Sequence, residues 1–583
     1  MPISVVLGAR GLVYGVRARL VRQYVKMAGS ILENLSGRKL ACIVAIVLIL
    51  QVVCFLIGGL IAPAPSNADQ ILATICKKDT LLPMGTFDDT WHIPRGHGGQ
   101  PTNCNVIHEL SDTSRMDPNL TANHIVFAFQ APGPRSDEDL DYSRWMQNLI
   151  GILQLDIIHS DSHPMTANPL LSLEVKLGYR NKHDPPDKWT LAAKSVEERY
   201  LQCNVNNTQV PDGHAYNCDV LSLFELGSLH HDYYLLNLRL PIDENNPGNK
   251  ELKEVRDVWL VLIHQNGGFT KVWVSLKTFF FPVVLATLIW FWRRIRMLAR
   301  PPHLIEGLLL SLGIALTLLN LPLEFLTLWF NLPFMLLLSD IRQGIFYATL
   351  LSFWLIFCGE HLMDDVERNR LRSYWKHLSA VITGCVCLFI FDLCERGIQM
   401  KNPFYSIWAT HVGSNLALAF IIAGGVSAGV YFLFLSYLLY RVLRNISFKR
   451  SALPSMSQAR RMYYEGIIYR FKFLLLATQI CAALTVIAYI IGQVSEGRWK
   501  WDDDIDLEFT SAFFTGVYGM WNLYVFMLLV LYAPSHKYYP TPADHSTSQE
   551  EIEFSRLTTT EPVPTEPTES SSLTEFAKKA ALD

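Results

Sequence analysis

Residues 40–60 read LACIVAIVLILQVVCFLIGGL, a run without a single charged side chain. A helix that crosses the hydrocarbon core of a bilayer needs about 20 mostly apolar residues. The run is too long for the apolar part of a cleavable signal peptide, and a long basic segment precedes it. We therefore predict a retained signal anchor that spans the membrane.

Seven further apolar runs follow along the chain and predict seven more spans. They cover residues 272–292, 304–325, 343–360, 378–394, 415–440, 473–493 and 512–532. The chain has 583 residues, 50% of them hydrophobic, and their concentration in these runs excludes a wholly soluble protein. The 50 basic and 53 acidic residues nearly balance, which gives no reason to expect a nucleic-acid-binding surface.

The positions of Lys and Arg predict the orientation in the membrane. Basic clusters precede the first span and follow the second, fourth and sixth spans, whereas the connection between the last two spans contains four aspartates within residues 502–506. Because basic loops stay in the cytoplasm, we expect both termini there. The predicted parts are a cytoplasmic N-terminus (1–39), a first span (40–60), a lumenal domain (61–270), a seven-helix membrane domain (271–534) and a disordered cytoplasmic tail (535–583).

The lumenal domain reads mainly as β-strand. Residues 125–129, 173–179 and 234–240 alternate in polarity, which is typical of strands with one buried and one solvated face. We predict an antiparallel β-sandwich. The sequons that begin at Asn119 and Asn206 predict N-glycosylation in the same domain.

Four of the eleven cysteines lie in the lumenal domain, where an oxidising compartment allows three pairings. We favour Cys76–Cys104 and Cys203–Cys218, because both bridges close short loops at opposite ends of the domain. A zinc site has little support, since neither a Cys-x-x-Cys pair nor a His-x₃-His pair accompanies these residues.

Enzyme signatures are missing from the sequence. It contains no His-Glu-x-x-His, Gly-x-Ser-x-Gly, Walker loop or Gly-x-Gly-x-x-Gly. The pair Glu360-His361 and the Cys385-x-Cys387 spacing are more typical of structural positions than of catalysis. We predict no enzymatic activity, no cofactor and no metal.

Polar residues at membrane depth are the candidate functional residues, because a charge there is costly and marks a pathway, a ligand or a paired lock. Three strings lie near the lumenal surface: Asp340-Ile-Arg-Gln-Gly-Ile-Phe-Tyr347, Phe391-Asp-Leu-Cys-Glu-Arg-Gly397 and Asn402-Pro-Phe-Tyr-Ser-Ile-Trp408. They predict either a salt-bridged layer between helices or a polar rim around a lumen-facing cavity. The two interpretations are compatible.

These strings carry a resemblance to a known family. The Asp340–Tyr347 and Asn402–Trp408 strings closely resemble the Wntless (Evi/Sprinter) family of eight-span cargo receptors. So do three further stretches: Met27-Ala-Gly-Ser-Ile-Leu-Glu-Asn-Leu-Ser36, His264-Gln-Asn-Gly-Gly-Phe-Thr-Lys-Val-Trp273 and Tyr518-Gly-Met-Trp-Asn-Leu-Tyr524. The resemblance covers roughly residues 27–540 and is to insect-like members.

The resemblance implies a lumenal β-sandwich above a membrane domain whose last seven helices are similar to a G-protein-coupled receptor bundle. It also implies a function, the transport of palmitoleoylated Wnt proteins from the endoplasmic reticulum and Golgi to the plasma membrane, with passage through endosomes. At about 0.8 kcal/mol per buried methylene, such an acyl chain is worth on the order of 10 kcal/mol, so the cargo needs a carrier with a lipid-binding cavity. Candidate lipid- and cargo-binding residues at the lumenal ends of the fourth and fifth spans are Phe346, Tyr347, Phe391, Asp340, Arg342 and Asp392.

A sorting signal is also implied by the resemblance. Tyr464-Glu-Gly-Ile467 is similar to the tetrapeptide with which members bind clathrin adaptors, with Tyr464 and Ile467 in separate pockets. Retromer and membrane lipids are the other expected partners. The chain ends in Lys578-Lys-Ala-Ala-Leu-Asp583 and lacks the C-terminal retrieval signal of vertebrate and nematode members.

Eleven of the seventeen histidines lie within residues 62–270, including the pair His230-His231. Because histidine titrates in the pH range of secretory compartments, we hypothesise that acidification weakens cargo binding through them. Two other functional classes remain open from the residues alone. One is a seven-helix signalling receptor, although its Asp/Glu-Arg-Tyr sequence is missing, and the other is a channel or lipid transporter, although no internal repeat is present.

Overall fold

The structure is a computed structural model that describes residues 30–535 with several gaps. The gaps are 80–82, 95–102, 108–119, 134–139, 161–164, 166–167, 205–212, 244–247, 253, 299–300, 361, 363–369, 453, 455–457 and 498–507. The sequons at Asn119 and Asn206, the N-terminal extension and the C-terminal tail lie outside the described residues.

Eight helices in the described part of the chain are long and apolar enough to cross a membrane, which confirms the eight predicted spans. They are α2, α3, α4 and α6 to α10. The helices are α1 (Ile31–Asn34), α2 (Gly37–Leu56), α3 (Gly267–Arg296), α4 (Leu304–Asn320), α5 (Glu324–Thr327), α6 (Met335–Glu360), α7 (Trp375–Gln399), α8 (His411–Ala452), α9 (Gln458–Gly497) and α10 (Glu508–Leu531).

In the described part of the chain, the strands between α2 and α3 pair in antiparallel fashion and form the predicted sandwich. They are β1 (Ser66–Leu72), β2 (Thr74–Lys77), β3 (Asn105–Val106), β4 (Ile125–Ala131), β5 (Leu149–Ile157), β6 (Leu170–Arg180), β7 (Thr190–Tyr200), β8 (Cys203–Asn204), β9 (Asn217–Cys218), β10 (Leu221–Leu226), β11 (Tyr233–Arg239) and β12 (Val255–Gln265). One sheet has the order β1-β12-β5-β10 and the other β3-β2-β4-β11-β6-β7, while β8 and β9 form a separate hairpin.

The sandwich core lies between the inner faces of the two sheets, with Leu153 and Leu260 from one sheet and Leu173 and Leu236 from the other. Although the edge strand β7 is largely exposed, the expectation of a solvated outer face is wrong for the centre of the six-stranded sheet, because every residue of β11 is buried. Its outer face is covered by the segment 87–93, in which His92 exchanges backbone hydrogen bonds with the Asn237 side chain (2.9 and 2.8 Å). The polar residues of that face are bonded to protein instead of water.

The membrane helices are arranged around α10, which packs against α2, α3, α4 and α9. Buried amides and hydroxyls join these helices, since Tyr518 donates to Asn320 and Asn320 donates to Asn522. Helix α6 packs on α4, and the pair α7–α8 packs on α6 at the edge of the bundle.

The sandwich lies at one end of this bundle. Strand β12 leads into α3 through Asn266, whose side chain accepts a hydrogen bond from the backbone N–H of Gly268 (2.8 Å) and caps the helix. Helix α3 has 30 residues and is therefore about 45 Å long, so its basic C-terminus lies at the opposite end. At that end Arg294 donates to the Pro534 carbonyl (3.1 Å), and Ser30 pairs with Pro534. Both described ends of the chain thus lie on the side away from the sandwich.

Candidate functional site

The connection between α7 and α8 enters the sandwich. Phe404, which is only 1% exposed, belongs to the sandwich core and packs edge-on against Phe224, with ring centroids 6.1 Å apart. Its carbonyl accepts a hydrogen bond from Arg199 (2.6 Å), and the Pro403 carbonyl accepts one from the backbone N–H of Glu225 in β10 (2.9 Å). The loop therefore completes the hydrophobic core of the domain and covers part of its β10 edge.

Side chains on both sides of Phe404 hold the same loop in place. Asn402 donates to Glu197 (3.0 Å) and to Ser195 (3.3 Å) on β7. After the turn, the backbone N–H of Ile407 donates to Glu395 near the end of α7 (2.7 Å). We name residues 402–407 the plug loop, because they fasten α7 and α8 to the sandwich.

An ion-pair bridge connects three elements beneath the plug loop. Arg396 of α7 donates to Glu225 of the sandwich (2.9 Å) and pairs with Asp340 of α6 (2.9 Å). Asp392 lies one turn before Arg396 on the same helix. The sequence had suggested pairing between the acids and arginines of the fourth and fifth spans, but nothing local marked the sandwich residue Glu225 as a partner.

A second ion-pair cluster is buried among α3, α5 and α6. Glu324 of α5 accepts from Lys277 of α3 and lies 3.4 Å from a guanidinium nitrogen of Arg342. Arg342 also donates to the Leu321 carbonyl (2.8 Å). Lys277 and Glu324 were not among the predicted site residues. They could have been found from the sequence, since each is a charge inside a predicted span and such charges need partners.

The predicted lipid-binding aromatics fall into two groups. Phe346 is fully buried in the core of the helix bundle, whereas Tyr347 is 37% exposed. Phe391 is half-buried and packs against Trp408, with ring centroids 6.3 Å apart, and Trp408 is itself exposed. Tyr347, Phe391 and Trp408 are thus accessible to a ligand, and Phe346 is not.

Helix α8 offers a long apolar surface next to the plug loop. It packs on α7 where Gly424 meets Leu388, but none of its most apolar stretch is buried by other parts of the described structure. The exposed apolar residues of its first half are Val412, Leu416, Leu418, Ile421, Ile422, Val426 and Val430. Toward the other end Val442 is buried in the same cluster as Phe471 and Leu474 of α9.

The two disulfides join the cysteines in the pairing favoured from the sequence. Cys76 and Cys104 have Cα atoms 5.1 Å apart, and Cys203 and Cys218 have Cα atoms 4.0 Å apart. The second bridge closes the β8–β9 hairpin. Both bridges lie within the sandwich domain and leave the membrane helices unlinked.

The Tyr464–Ile467 motif lies within helix α9. The motif is therefore helical in this structure, whereas the adaptor interaction that the resemblance implies takes an extended tetrapeptide. Glu360 of the Glu360-His361 pair accepts a hydrogen bond from Tyr374 (2.9 Å, buried), and His361 lies outside the described residues.

Both histidines of the pair are harder to protonate than a free histidine, because they are partly buried. His231 stacks on Tyr179, with ring centroids 3.7 Å apart, and its Nδ1 lies 3.0 Å from the Asn181 amide oxygen. Burial lowers the pKa of His231 to about 4 and also lowers the pKa of His230. His231 therefore stays neutral near pH 5.5, where the release hypothesis needs it charged.

Comparison with known proteins covers almost the whole chain. The family profile described as "Wntless, GOLD domain" matches residues 82–265, and "Wntless-like, transmembrane domain" matches residues 266–536. A protein wntless from Drosophila ananassae is 52% identical over 575 residues, which is 96% of this chain and 100% of that relative. The counterparts from Drosophila mojavensis and Drosophila virilis are each 51% identical, and these matches also cover 96% of this chain and 100% of the relative.

Proposed function

This chain belongs to the Wntless family, and from that premise we propose that it binds acylated Wnt proteins and carries them to the cell surface. Membership assigns the chain to Wnt secretion, and the family is one of cargo receptors rather than enzymes. The proposed route runs from the endoplasmic reticulum and Golgi to the plasma membrane and returns through endosomes.

The observation that supports the binding mode is the fastening of α7 and α8 to the sandwich. An acylated protein offers a polypeptide surface and an apolar chain a short distance apart. Here Phe404 and Arg396 hold the sandwich beside a pair of helices whose apolar side chains are left exposed. We propose that the sandwich contacts the polypeptide and that the acyl chain lies along α7 and α8, near Tyr347, Phe391 and Trp408.

The positions of the termini support the proposed topology. Ser30 and Pro534 lie together at the end where Arg293, Arg294 and Arg296 close α3. Since basic residues favour the cytoplasmic side, that end is cytoplasmic and the sandwich is lumenal. A motif at Tyr464 near the start of α9 is then on the side where clathrin adaptors and the retromer operate.

The binding mode is tested by recovering acylated Wnt with purified variants. Phe391→Asn and Tyr347→Asn together should lower the yield of co-purified acylated Wnt about tenfold, because they place amides against the acyl chain. Phe279→Asn is the matched control, since Phe279 is also exposed but lies on α3. Equal yields from the double variant and the control would place the acyl chain elsewhere. Wnt produced without its acyl transferase should bind all variants alike.

A further inference from the structure

The loop between α4 and α6 carries an exposed aromatic surface that the proposed cargo site does not use. We name residues 321–334 the α4–α6 loop. No charged side chain occurs between Glu324 and Asp340, and the exposed large apolar residues of the loop are Leu326, Trp329, Phe330 and Phe334. Trp329 is 69% exposed and Phe330 59% exposed. Apolar side chains of this size that cluster at a surface indicate an interaction site.

The loop is held firmly at its base. Glu324 is paired with both Lys277 and Arg342, and Arg342 also binds the Leu321 carbonyl. These three ionic side chains are almost completely buried, so they are screened little by solvent. The start of the loop therefore has a defined position relative to α3 and α6.

The loop is also bonded to the sandwich. Arg144 donates to the Leu328 carbonyl (2.8 Å), and Gln147 lies within hydrogen-bond distance of the Thr327 hydroxyl (3.2 Å). Farther along, a Cβ atom added at Gly227 would lie 2.6 Å from the Pro333 carbonyl oxygen, so only glycine permits this approach. The backbone of the loop is thus held against the sandwich, while its aromatic side chains remain exposed.

We propose that the α4–α6 loop inserts Trp329 and Phe330 into the sandwich-side leaflet of the bilayer and thereby sets the height of the sandwich above the membrane. The loop joins two membrane-spanning segments, of which the first extends to Thr327 and the second begins at Met335, so Trp329 and Phe330 lie at the bilayer boundary. Tryptophan is enriched at that boundary, where its ring meets both acyl chains and headgroups. The last turns of α4 already expose Ile314 and Leu318.

A lipid surface fits this loop better than a protein partner does. A protein interface normally surrounds its apolar centre with polar and charged side chains. Within residues 325–334 the only polar side chains are those of Thr327, which is bonded to Gln147 and to the Glu324 carbonyl, and Asn331. The loop's own exposed surface therefore carries no charged side chain, and the charged residues around Leu328, which are Asp141, Arg144 and Asp232, belong to the sandwich.

Photocrosslinking of the full chain in phosphatidylcholine nanodiscs tests the contact. Benzoylphenylalanine in place of Trp329 should yield a phospholipid adduct by mass spectrometry, as should the same residue in place of Phe279 on the exposed face of α3. In place of Val196, which is exposed on the sandwich strand β7, it should yield none. Lipid adducts at 279 but not at 329 would overturn the proposal. Adducts at 329 that change from lipid to protein when acylated Wnt is bound would make the loop a cargo surface and would also overturn it.

The height of the sandwich is tested with energy transfer. A donor dye attached at position 191 of β7 should transfer less energy to acceptor-labelled lipid headgroups in the Trp329→Ser, Phe330→Ser variant. The Trp329→Leu, Phe330→Leu variant keeps the apolar surface and should retain the original transfer. Unchanged transfer in the serine variant would show that the loop does not set the height. Because the lipid adducts and the energy transfer are both measured on the chain without cargo, their failure is distinguishable from failure of the proposed cargo site.

Discussion

Helices α10 and α8 are both apolar spans of the same bundle, yet the protein uses them in opposite ways. In the most apolar stretch of α10, 78% of the residues are buried by protein, whereas in that of α8 none are. Small and polar residues account for the burial of α10, since Ser511, Thr515 and Asn522 on it are completely buried. Helices that approach closely need small residues and interhelical hydrogen bonds, because the lipid itself is as apolar as leucine.

Helix α8 is held at its loop and along only part of its sides, where it packs on α7 and α6. Phe404 in the sandwich core and the Arg396 bridge hold the α7–α8 pair at the sandwich end. The comparison indicates that hydrophobicity places a helix in the membrane but does not decide whether protein, lipid or cargo covers it.

The largest effect is expected from Phe404→Ala. Removing a buried aromatic ring from a core costs about 4 kcal/mol of unfolding free energy, and it also releases the plug loop. Hydrogen exchange of residues 402–412 should rise strongly while that of α10 stays unchanged. Phe432→Ala on the exposed surface of α8 is the control and should alter neither. Slow exchange around the plug loop in Phe404→Ala would mean that α8 is held by its sides after all.

The second largest effect is expected from glycine substitutions, which should destabilise the protein at the packed helix α10 but not at the open helix α8. A Cβ atom at Gly58 would collide with the backbone of Ser511 and Ala512, whereas one at Gly425 on α8 would meet nothing within 4 Å. Gly58→Val should therefore lower stability by about 3 kcal/mol through overpacking, and Gly425→Val should be tolerated. Thermal unfolding followed by size-exclusion chromatography measures both. Equal losses would contradict the contrast between a packed α10 and an open α8.

The ion-pair bridge of Arg396 should contribute less to the free energy of unfolding than the plug loop does. Arg396→Met leaves Glu225 and Asp340 without their shared cation, and because all three side chains are partly exposed we expect a loss of about 1–2 kcal/mol. Arg256→Met, which removes a largely exposed pair with Asp257, should change stability by less than about 0.5 kcal/mol. Denaturation of the purified variants in detergent compares them. If both variants behave alike, the bridge has no special role in holding α7.

Acidification should weaken the sandwich slightly while leaving the α10 core intact. The pKa of His231 is about 4 in the folded protein, below the unfolded value of about 6.5. Its contribution to stability is complete above pH 6.5 and is lost progressively as the pH falls from 6.5 toward 4. Since His231 is only about half buried, we expect a loss below about 1 kcal/mol.

The histidine effect is isolated by His231→Phe, which keeps the stacking on Tyr179 and removes the titrating group. The decrease in melting temperature between pH 7 and pH 5 should be smaller in this variant than in the parent protein. His183→Phe, at an exposed position, serves as the control. An identical pH dependence in all three proteins would exclude His231 as its origin.

The sequence by itself determined the features that depend on local composition. Eight spans follow from eight apolar runs, because a bilayer demands about 20 apolar residues at a stretch wherever they occur. Strand positions followed from local alternation in the same way. One span boundary did not follow from composition, because the span predicted from residue 343 begins at Met335. Its first turns continue past Asp340 and Arg342 because distant partners neutralise those charges.

Only the tertiary structure decided which distant residues meet. Glu225 and Arg396 are 171 positions apart, and Arg199 and the Phe404 carbonyl are 205 apart. No pattern within a short window encodes such a pairing, because it depends on how the loops between them close. The same holds for the burial of α10 and the exposure of α8, because both helices contain small and polar residues within an apolar sequence. Local hydrophobicity selects the membrane as the environment, while shape and partner geometry in three dimensions select the neighbours.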